Sequence, residues 1–352
     1  MSTILSKYKI RQNESGKYTT VVPSFYDKDY YRHFQIKRLP QTNRFPFFLQ
    51  ADNDGSGSIQ LTISYQSEAD FLLVGRQLSQ LEQKILVFIA RFRNVQKLQI
   101  QKEIGSSTAG SRLEKALKKL HQYFLIEVWE FPRKDKAGES ARAYSITRNG
   151  FSLLRYLQLL EQQGCYQWEA AFDADLYQPI RSWKIVDTYQ VFRLSAHYKD
   201  FIPKKQFEPK PYTVRQADRK KNALGEEKES QTERQIFLRQ ASVEGELLFE
   251  NPRLQYVFDL YPLVTEKDVA DLLLLLQHWS TFEDDYRYLV LIVDSWDWVE
   301  EISQTYSLPD YAANILFFDL DSVQNDDLLS SLYQFDPDSS TYSVLPFKFM
   351  HP

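Results

Sequence analysis

The stretch Ser106-Ser-Thr-Ala-Gly-Ser-Arg-Leu-Glu-Lys-Ala-Leu-Lys-Lys-Leu-His-Gln-Tyr-Phe-Leu-Ile-Glu-Val-Trp-Glu-Phe131 decides how the chain folds. Leu113, Leu117, Leu120 and Phe124 recur at three- and four-residue intervals, which places them on one stripe of a helix. Arg112, Lys115, Lys118 and Lys119 lie off that stripe, and Thr108 and Ser111 stand at its N-terminal end. Ser107 or Thr108 can cap the helix, since a short hydroxyl side chain accepts from the first unpaired backbone N–H groups. From Leu125 the apolar period shortens, and Leu125 to Phe131 reads as a strand. A polar tip, Pro132 to Ser140, leads into a return strand, Ala141 to Ile146.

Reading outward toward the N-terminus, Leu78, Leu81, Ile85, Ile89 and Phe92 mark one face of an earlier helix. A short second helix spans Val95 to Ile104, with Leu98 and Ile104 inward, and stops at Gly105. Residues 76–150 hold 15 Lys/Arg and 7 Asp/Glu, a net of +8. That sign neutralises phosphates. A helix about 10–12 Å across fits a DNA major groove about 12 Å wide.

Helix, turn, helix and a two-stranded wing is the element order of a winged helix-turn-helix. Leu117-Lys-Lys-Leu-His-Gln-Tyr-Phe-Leu-Ile126 resembles that family's recognition-helix exit into the wing. Tyr144-Ser-Ile-Thr-Arg-Asn-Gly150 resembles its strand-to-last-helix step. The resemblance implies double-stranded DNA as partner. It gives Ser111, Arg112 and Lys115 base-edge or groove contacts, with Thr108 and Lys118 on the same DNA-binding surface. Lys119, Arg133, Lys134 and Lys136 become phosphate contacts.

The whole chain of 352 residues carries a formal net charge of only −4, from 43 Lys+Arg and 47 Asp+Glu. That balance conceals a division. From Val243 onward there are 4 basic and 21 acidic residues, a net of −17, which leaves +13 for the first 242. The expected organisation is an aromatic-rich β region over 1–75, the winged unit over 76–160, and a connector over 161–242. An acidic α/β domain over 243–352 completes it. Within the connector, Pro203 to Arg239 is polar and charged and reads as a solvated linker or mobile loop. The acidic part reads strand, helix, strand, helix, strand: Leu254 to Tyr261, Thr265 to Trp279, Tyr286 to Val293, Trp296 to Tyr306, and Asn314 to Leu320. Continuous apolar strands alternating with helices predict parallel pairing.

Placed together, these parts resemble the replication-relaxation family of plasmid and conjugative-element proteins. That family joins a winged domain to one related to the PD-(D/E)XK nuclease fold. The fold class expected is therefore α+β and multidomain, with a winged helix-turn-helix and a small C-terminal α/β domain like a degenerate nuclease. The resemblance implies a role in plasmid replication, relaxation or mobilisation. The acidic domain would dock a basic protein partner or a relaxosome or replication component. A transcriptional repressor and a Mg²⁺-dependent nuclease are the alternatives. For a nuclease, Asp259 would have to converge with Asp294 and Asp319, since metal-dependent cleavage needs at least two carboxylates. Only Asp259 is acidic in Tyr256-Val-Phe-Asp-Leu-Tyr, so the expectation is no enzyme, no metal and no cofactor. A palindromic site would call for a homodimer.

Other features resolve as structure. Asp52, Asp54 and Ser56 imitate the start of an EF-hand loop, but position 12 is Ile63, which carries no carboxylate; a Gly/Asp hairpin turn between two strands explains the composition. Tyr26, Tyr30, Tyr31 and Phe34 stand among Lys28, Arg32 and Lys37 and are read as a packed arm rather than a base-stacking surface. One cysteine, Cys165, excludes a disulfide framework and fits a reducing compartment. The longest apolar runs, such as Ile85 to Ala90, fall far below the roughly 20 residues of a membrane span. The expected location is cytoplasmic.

Overall fold

Local chemistry fixes the helix ends of the front half. Helix α1 (Glu68–Gln77) starts at Ser67, whose hydroxyl accepts from the Asp70 N–H. Helix α2 (Gln80–Phe92) starts with a reciprocal cap: Ser79 N–H donates to Glu82 at 2.7 Å, and Glu82 N–H donates to the Ser79 hydroxyl at 3.3 Å. Strand β4 (Asn94–Gln96) and helix α3 (Lys97–Ile104) follow, and Gly105 ends α3 at φ 92°. Helix α4 (Gly110–Gln122) ends at Phe124, which takes φ 55° while the Leu125 N–H reaches back to the Leu120 carbonyl at 3.0 Å. Phe124 thus terminates the helix and is only part-buried, and Ala116 completes the buried stripe with Leu113, Leu117 and Leu120. Strands β5 (Ile126–Pro132) and β6 (Ser140–Ile146) form a hairpin, and helix α5 (Arg148–Tyr156) closes the unit.

These elements come from a computed structural model that describes residues 37–40, 47–49, 59–61, 63–105, 110–132, 140–160, 178–207, 212–221, 227–236, 241–250, 255–263, 266–279, 287–293, 296–308, 315–319, 332–336, 338 and 344–346. Strand β1 (Lys37–Arg38) pairs with β5, giving a four-stranded sheet in the order β1-β5-β6-β4. Strands β2 (Phe47–Leu49) and β3 (Ile59–Leu61) form a separate antiparallel pair. The Asp52 loop between them, the Tyr26–Phe34 aromatics and Cys165 lie outside the described residues.

Helix α6 (Gln178–Phe192) follows, then strands β7 (Tyr198–Phe207), β8 (Tyr212–Lys221), β9 (Glu227–Ile236) and β10 (Ala241–Glu250). Next come β11 (Gln255–Pro262), α7 (Glu266–Trp279), β12 (Arg287–Val293), α8 (Trp296–Tyr306) and β13 (Ile315–Asp319). Strands β14 (Leu332–Phe335) and β15 (Val344–Pro346) end the series. The large sheet has seven strands in the order β15-β14-β13-β12-β11-β10-β7. Its centre, β11-β12-β13, is parallel, as two strand–helix–strand crossovers require, and its flanks are antiparallel. The protein is mixed α/β. Among the described residues no helix is long and apolar enough to cross a membrane.

Three features depart from the sequence reading. The expected linker, 203–239, contains the second half of β7 and all of β8 and β9, so it is largely strand. Strand β7 also belongs to the same sheet as β10 to β15, so the sheet begins well before Val243. In addition, Leu98 is 53% exposed, and Gln99 and Ile100 occupy the buried face of α3.

One hydrophobic core runs through both halves. It joins Ile85, Ile89, Leu113, Leu120 and Leu153 of the front unit to Val186 and Phe192 of α6, and then to Phe249, Phe258, Ile292 and Phe318 of the sheet. Every residue from Trp183 to Phe192 is buried. Burial of each large apolar side chain contributes about 1.5–3 kcal/mol, so α6 is a major source of cohesion. The opposite sheet face buries Leu289, Leu291 and Phe317, and α7 and α8 supply buried Leu272, Leu275, Val299 and Ile302.

Candidate nucleic-acid interface

Helix α4 has two chemically opposite sides. Leu113, Ala116, Leu117 and Leu120 are at most 4% exposed. Ser111, Arg112, Lys115 and Lys118 are exposed, and among the described residues none of the three cations has a carboxylate within ion-pair distance. Ser111, Lys115 and Lys118 stand at i, i+4 and i+7 and therefore share a surface. Packing of the apolar stripe beneath fixes the direction in which this polar row faces.

The surroundings keep the row positive. Glu114 is the only acid on α4, and Lys97 of α3 binds its carboxylate at 2.5 Å. That hydrogen bond, with the lysine's charge, holds the Glu114 carboxyl below its usual pKa. His121 moves down as burial disfavours its charged form and Arg142 repels a second positive charge. On the hairpin, Arg142 pairs with Glu130 at 3.0 Å, and Arg38 pairs with Glu127. The described part of the hairpin is therefore electrically balanced.

Of the nine predicted DNA-contacting residues, four (Ser111, Arg112, Lys115 and Lys118) are gathered on this face. Thr108, Arg133, Lys134 and Lys136 lie outside the described residues. Lys119 is placed differently. Its ammonium donates to the Gln77 carbonyl at 2.6 Å and to Glu82 at 2.8 Å, and it lies 5.8 Å from the centre of the Tyr123 ring. It satisfies a carbonyl at the end of α1 and the capping carboxylate of α2. Lys119 therefore has structural contacts that the sequence reading did not assign it, because residue 119 sits where α1 meets α2.

The Tyr144–Gly150 step also has a physical basis. Tyr144 is buried in the hairpin. Thr147 donates its hydroxyl to the Phe124 carbonyl at 2.6 Å, and the same oxygen accepts from the Gly150 N–H at 3.0 Å. The Thr147 N–H donates to the Leu125 carbonyl at 3.1 Å. A Cβ on residue 150 would lie 2.2 Å from that carbonyl oxygen, so only glycine fits. The step locks the end of α4 to the start of α5.

Between β4, α3 and α6 lies a buried polar joint that the sequence did not reveal. Asn94 accepts from the Trp183 indole at 2.5 Å. Gln99 donates to the Trp183 carbonyl at 2.9 Å and to Asp187 at 2.8 Å, while its oxygen accepts from the Gln96 N–H at 2.9 Å. Gln190 donates to the Gln99 carbonyl at 2.8 Å. Glu103 pairs with Arg193, and nearby burial lowers the Lys102 pKa to about 8. The joint holds α3 rigidly on α6.

Asp259 does not stand at a strand end. It lies within β11 opposite Glu246 of β10, fully buried, with Arg287 Nε 3.2 Å from its carboxylate and Arg287 also 3.8 Å from Glu246. Asp294 and the Asp319 side chain lie outside what is described. Among the described residues no three His, Cys, Asp or Glu side chains form a metal-binding group.

No family model matches the chain, and neither the curated proteins nor the solved structures contain a match to it.

Proposed function

We propose that this chain binds double-stranded DNA through a winged helix-turn-helix in which α4 is the recognition helix. The observation that carries the reading is the exposed row of Ser111, Arg112, Lys115 and Lys118, held outward by the buried stripe and accompanied by a single acid that Lys97 neutralises. Exposed cations without carboxylate partners release counterions on meeting phosphates, and residues near a helix N-terminus reach base edges.

The biological setting proposed is replication, relaxation or mobilisation of a plasmid or conjugative element. It rests on the resemblance of the Leu117–Ile126 and Tyr144–Gly150 segments. The sheet half, net −17 from Val243 onward, repels DNA and suits a basic protein partner. Its resemblance to a nuclease-related domain is supported by the parallel β11-β12-β13 centre. Arg287 supplies the positive charge beside the buried Asp259, which favours a structural role for that carboxylate over catalysis.

The test is binding of a labelled duplex followed by fluorescence anisotropy. Arg112→Ala/Lys115→Ala should weaken binding at least tenfold and flatten discrimination between duplex sequences, as loss of groove contacts does at about 1–3 kcal/mol each. Unchanged affinity and unchanged discrimination would remove the proposal.

A further inference from the structure

Helix α2 has a second face. Gln80, Lys84, Val87 and Arg91 stand at i, i+4, i+7 and i+11, on the side of the helix away from Ile85 and Ile89. This face borders a cleft of about 600 Å³, which Glu103 and Ile104 at the end of α3 and Leu159 beyond α5 also line. Sites for small molecules enclose about 300–1,000 Å³, so the cleft has room for one.

The lining has an apolar part and a positive part. Val87 and Phe88 are buried, and Ile104 and Leu159 are part-buried, so apolar surface forms much of the wall. The acid of the lining is already engaged. Glu103 pairs with Arg193 and accepts from the Tyr189 hydroxyl at 3.4 Å and from Gln190 at 3.5 Å. The cations are less fully answered. Lys84 is exposed, and among the described residues no carboxylate lies within ion-pair distance of it. Arg91 is fixed in place: its Nη2 donates to Asp200 at 3.1 Å and to the Phe201 carbonyl at 2.5 Å, and its guanidinium lies 5.4 Å from the Tyr189 ring and 5.5 Å from the Phe201 ring. Its Nε is buried and meets no acceptor among the described residues. Asp200, the carboxylate that balances it, is 54% exposed and therefore screened by water.

We propose that this cleft binds a small organic anion, with an aromatic or aliphatic body against Val87, Phe88, Ile104 and Leu159 and a carboxylate toward Lys84 and Arg91. Each half of that description selects. An inorganic anion leaves the apolar wall in water, and a neutral apolar molecule leaves the two cations unanswered. The inference does not depend on the chain binding duplex DNA, because none of these residues belongs to the outer face of α4.

The test is calorimetric titration of the full chain with 1-naphthoate, beside 1-naphthalenemethanol as its neutral counterpart and inorganic phosphate as an anion without an apolar body. By the usual yield per ligand atom, naphthoate should bind with a Kd of about 1 mM or tighter. The alcohol and phosphate should each bind at least about tenfold more weakly. Lys84→Glu should weaken naphthoate by at least about tenfold and leave the alcohol unaffected. Its thermal unfolding should match the parent chain, because the replaced side chain is exposed and has no ion pair among the described residues. Three results would each overturn the site: no saturable naphthoate binding up to about 10 mM, equal binding of naphthoate and either comparator, or a folded Lys84→Glu that binds naphthoate like the parent chain. Anisotropy with a DNA duplex is a separate measurement, so loss of either reading leaves the other standing.

Discussion

Replacing Gln99 by Leu tests whether the front unit and the sheet are one cooperative body. The side chain is 3% exposed and serves three groups at once: the Gln96 N–H, the Trp183 carbonyl and the Asp187 carboxylate. Leucine fills a similar volume but can serve none of them. The Trp183 carbonyl lies in the first half of α6 and is least affected. The Gln96 N–H loses its acceptor and Asp187 loses a donor, each at about 1–3 kcal/mol, so the variant should be less stable by about 2–6 kcal/mol. At about 2 °C per kcal/mol that lowers the midpoint of thermal unfolding by about 4–12 °C. The assay is urea or thermal unfolding followed both by tryptophan fluorescence, which Trp183 and Trp129 report from the joint and the hairpin, and by circular dichroism. The parent chain should give coincident transitions, and the variant should show the two probes separating as the joint loosens. A neutral Gln99→Leu, or transitions that already separate in the parent chain, would refute the idea that the buried polar joint binds the halves together.

Three further outcomes follow from the same contacts. Lys119→Ala should lower stability by about 1–3 kcal/mol, as loss of a part-buried charged hydrogen bond does, yet leave the salt slope of DNA binding unchanged; paired unfolding and anisotropy measurements check both halves of that statement. Gly150→Ala should cost about 3 kcal/mol or more because its Cβ meets the Leu125 carbonyl oxygen, whereas Gly110→Ala, with open space around it, should be tolerated in the same unfolding assay. Alkaline pH should unfold the protein. Burial raises Tyr123 and Tyr144 to about 12, above an unfolded value near 10, so their contribution is complete below pH 10 and is lost as pH rises through 12. Lys102 acts oppositely: its folded value of about 8 lies below the unfolded 10.5, so its burial penalty is relieved between those values. Stability measured against pH should therefore rise modestly above pH 8 and fall steeply beyond 10, and Tyr144→Phe should blunt the fall.

Periodicity located α2, α4, β5, β6 and every strand and helix from β11 to β13, because each of those elements has one apolar side or is a short buried run. It failed for α6. Trp183 to Phe192 is buried on all sides, so no stripe appears, and Lys184, Asp187, Thr188 and Gln190 break the apolar run with polar groups that the joint and its neighbours accommodate. It failed also for β8 and β9, where charged residues on both faces give no alternation of apolar and polar. With no apolar run and no alternation, only turn and pairing signals are left, and the sequence there resembles a linker. On α4, off-stripe position put Arg112, Lys115 and Lys118 on the outer side, and all three are exposed there. It did not reveal the contacts of Lys119 with Gln77 and Glu82 across two helix junctions, because no local pattern carries that information. Thr147 and Gly150 were visible as a motif, and the carbonyls of Phe124 and Leu125 explain why those two residue types occur there.

The central claim is that the outer face of α4 neutralises DNA phosphates and reads the groove. It is tested most directly by the salt dependence of duplex binding in the parent chain and in Arg112→Ala/Lys115→Ala/Lys118→Ala. The account predicts a fall in slope of about 2–3 at about 0.9 per contact removed, with unfolding unchanged because all three side chains are exposed. An unchanged slope in a folded triple variant would contradict it.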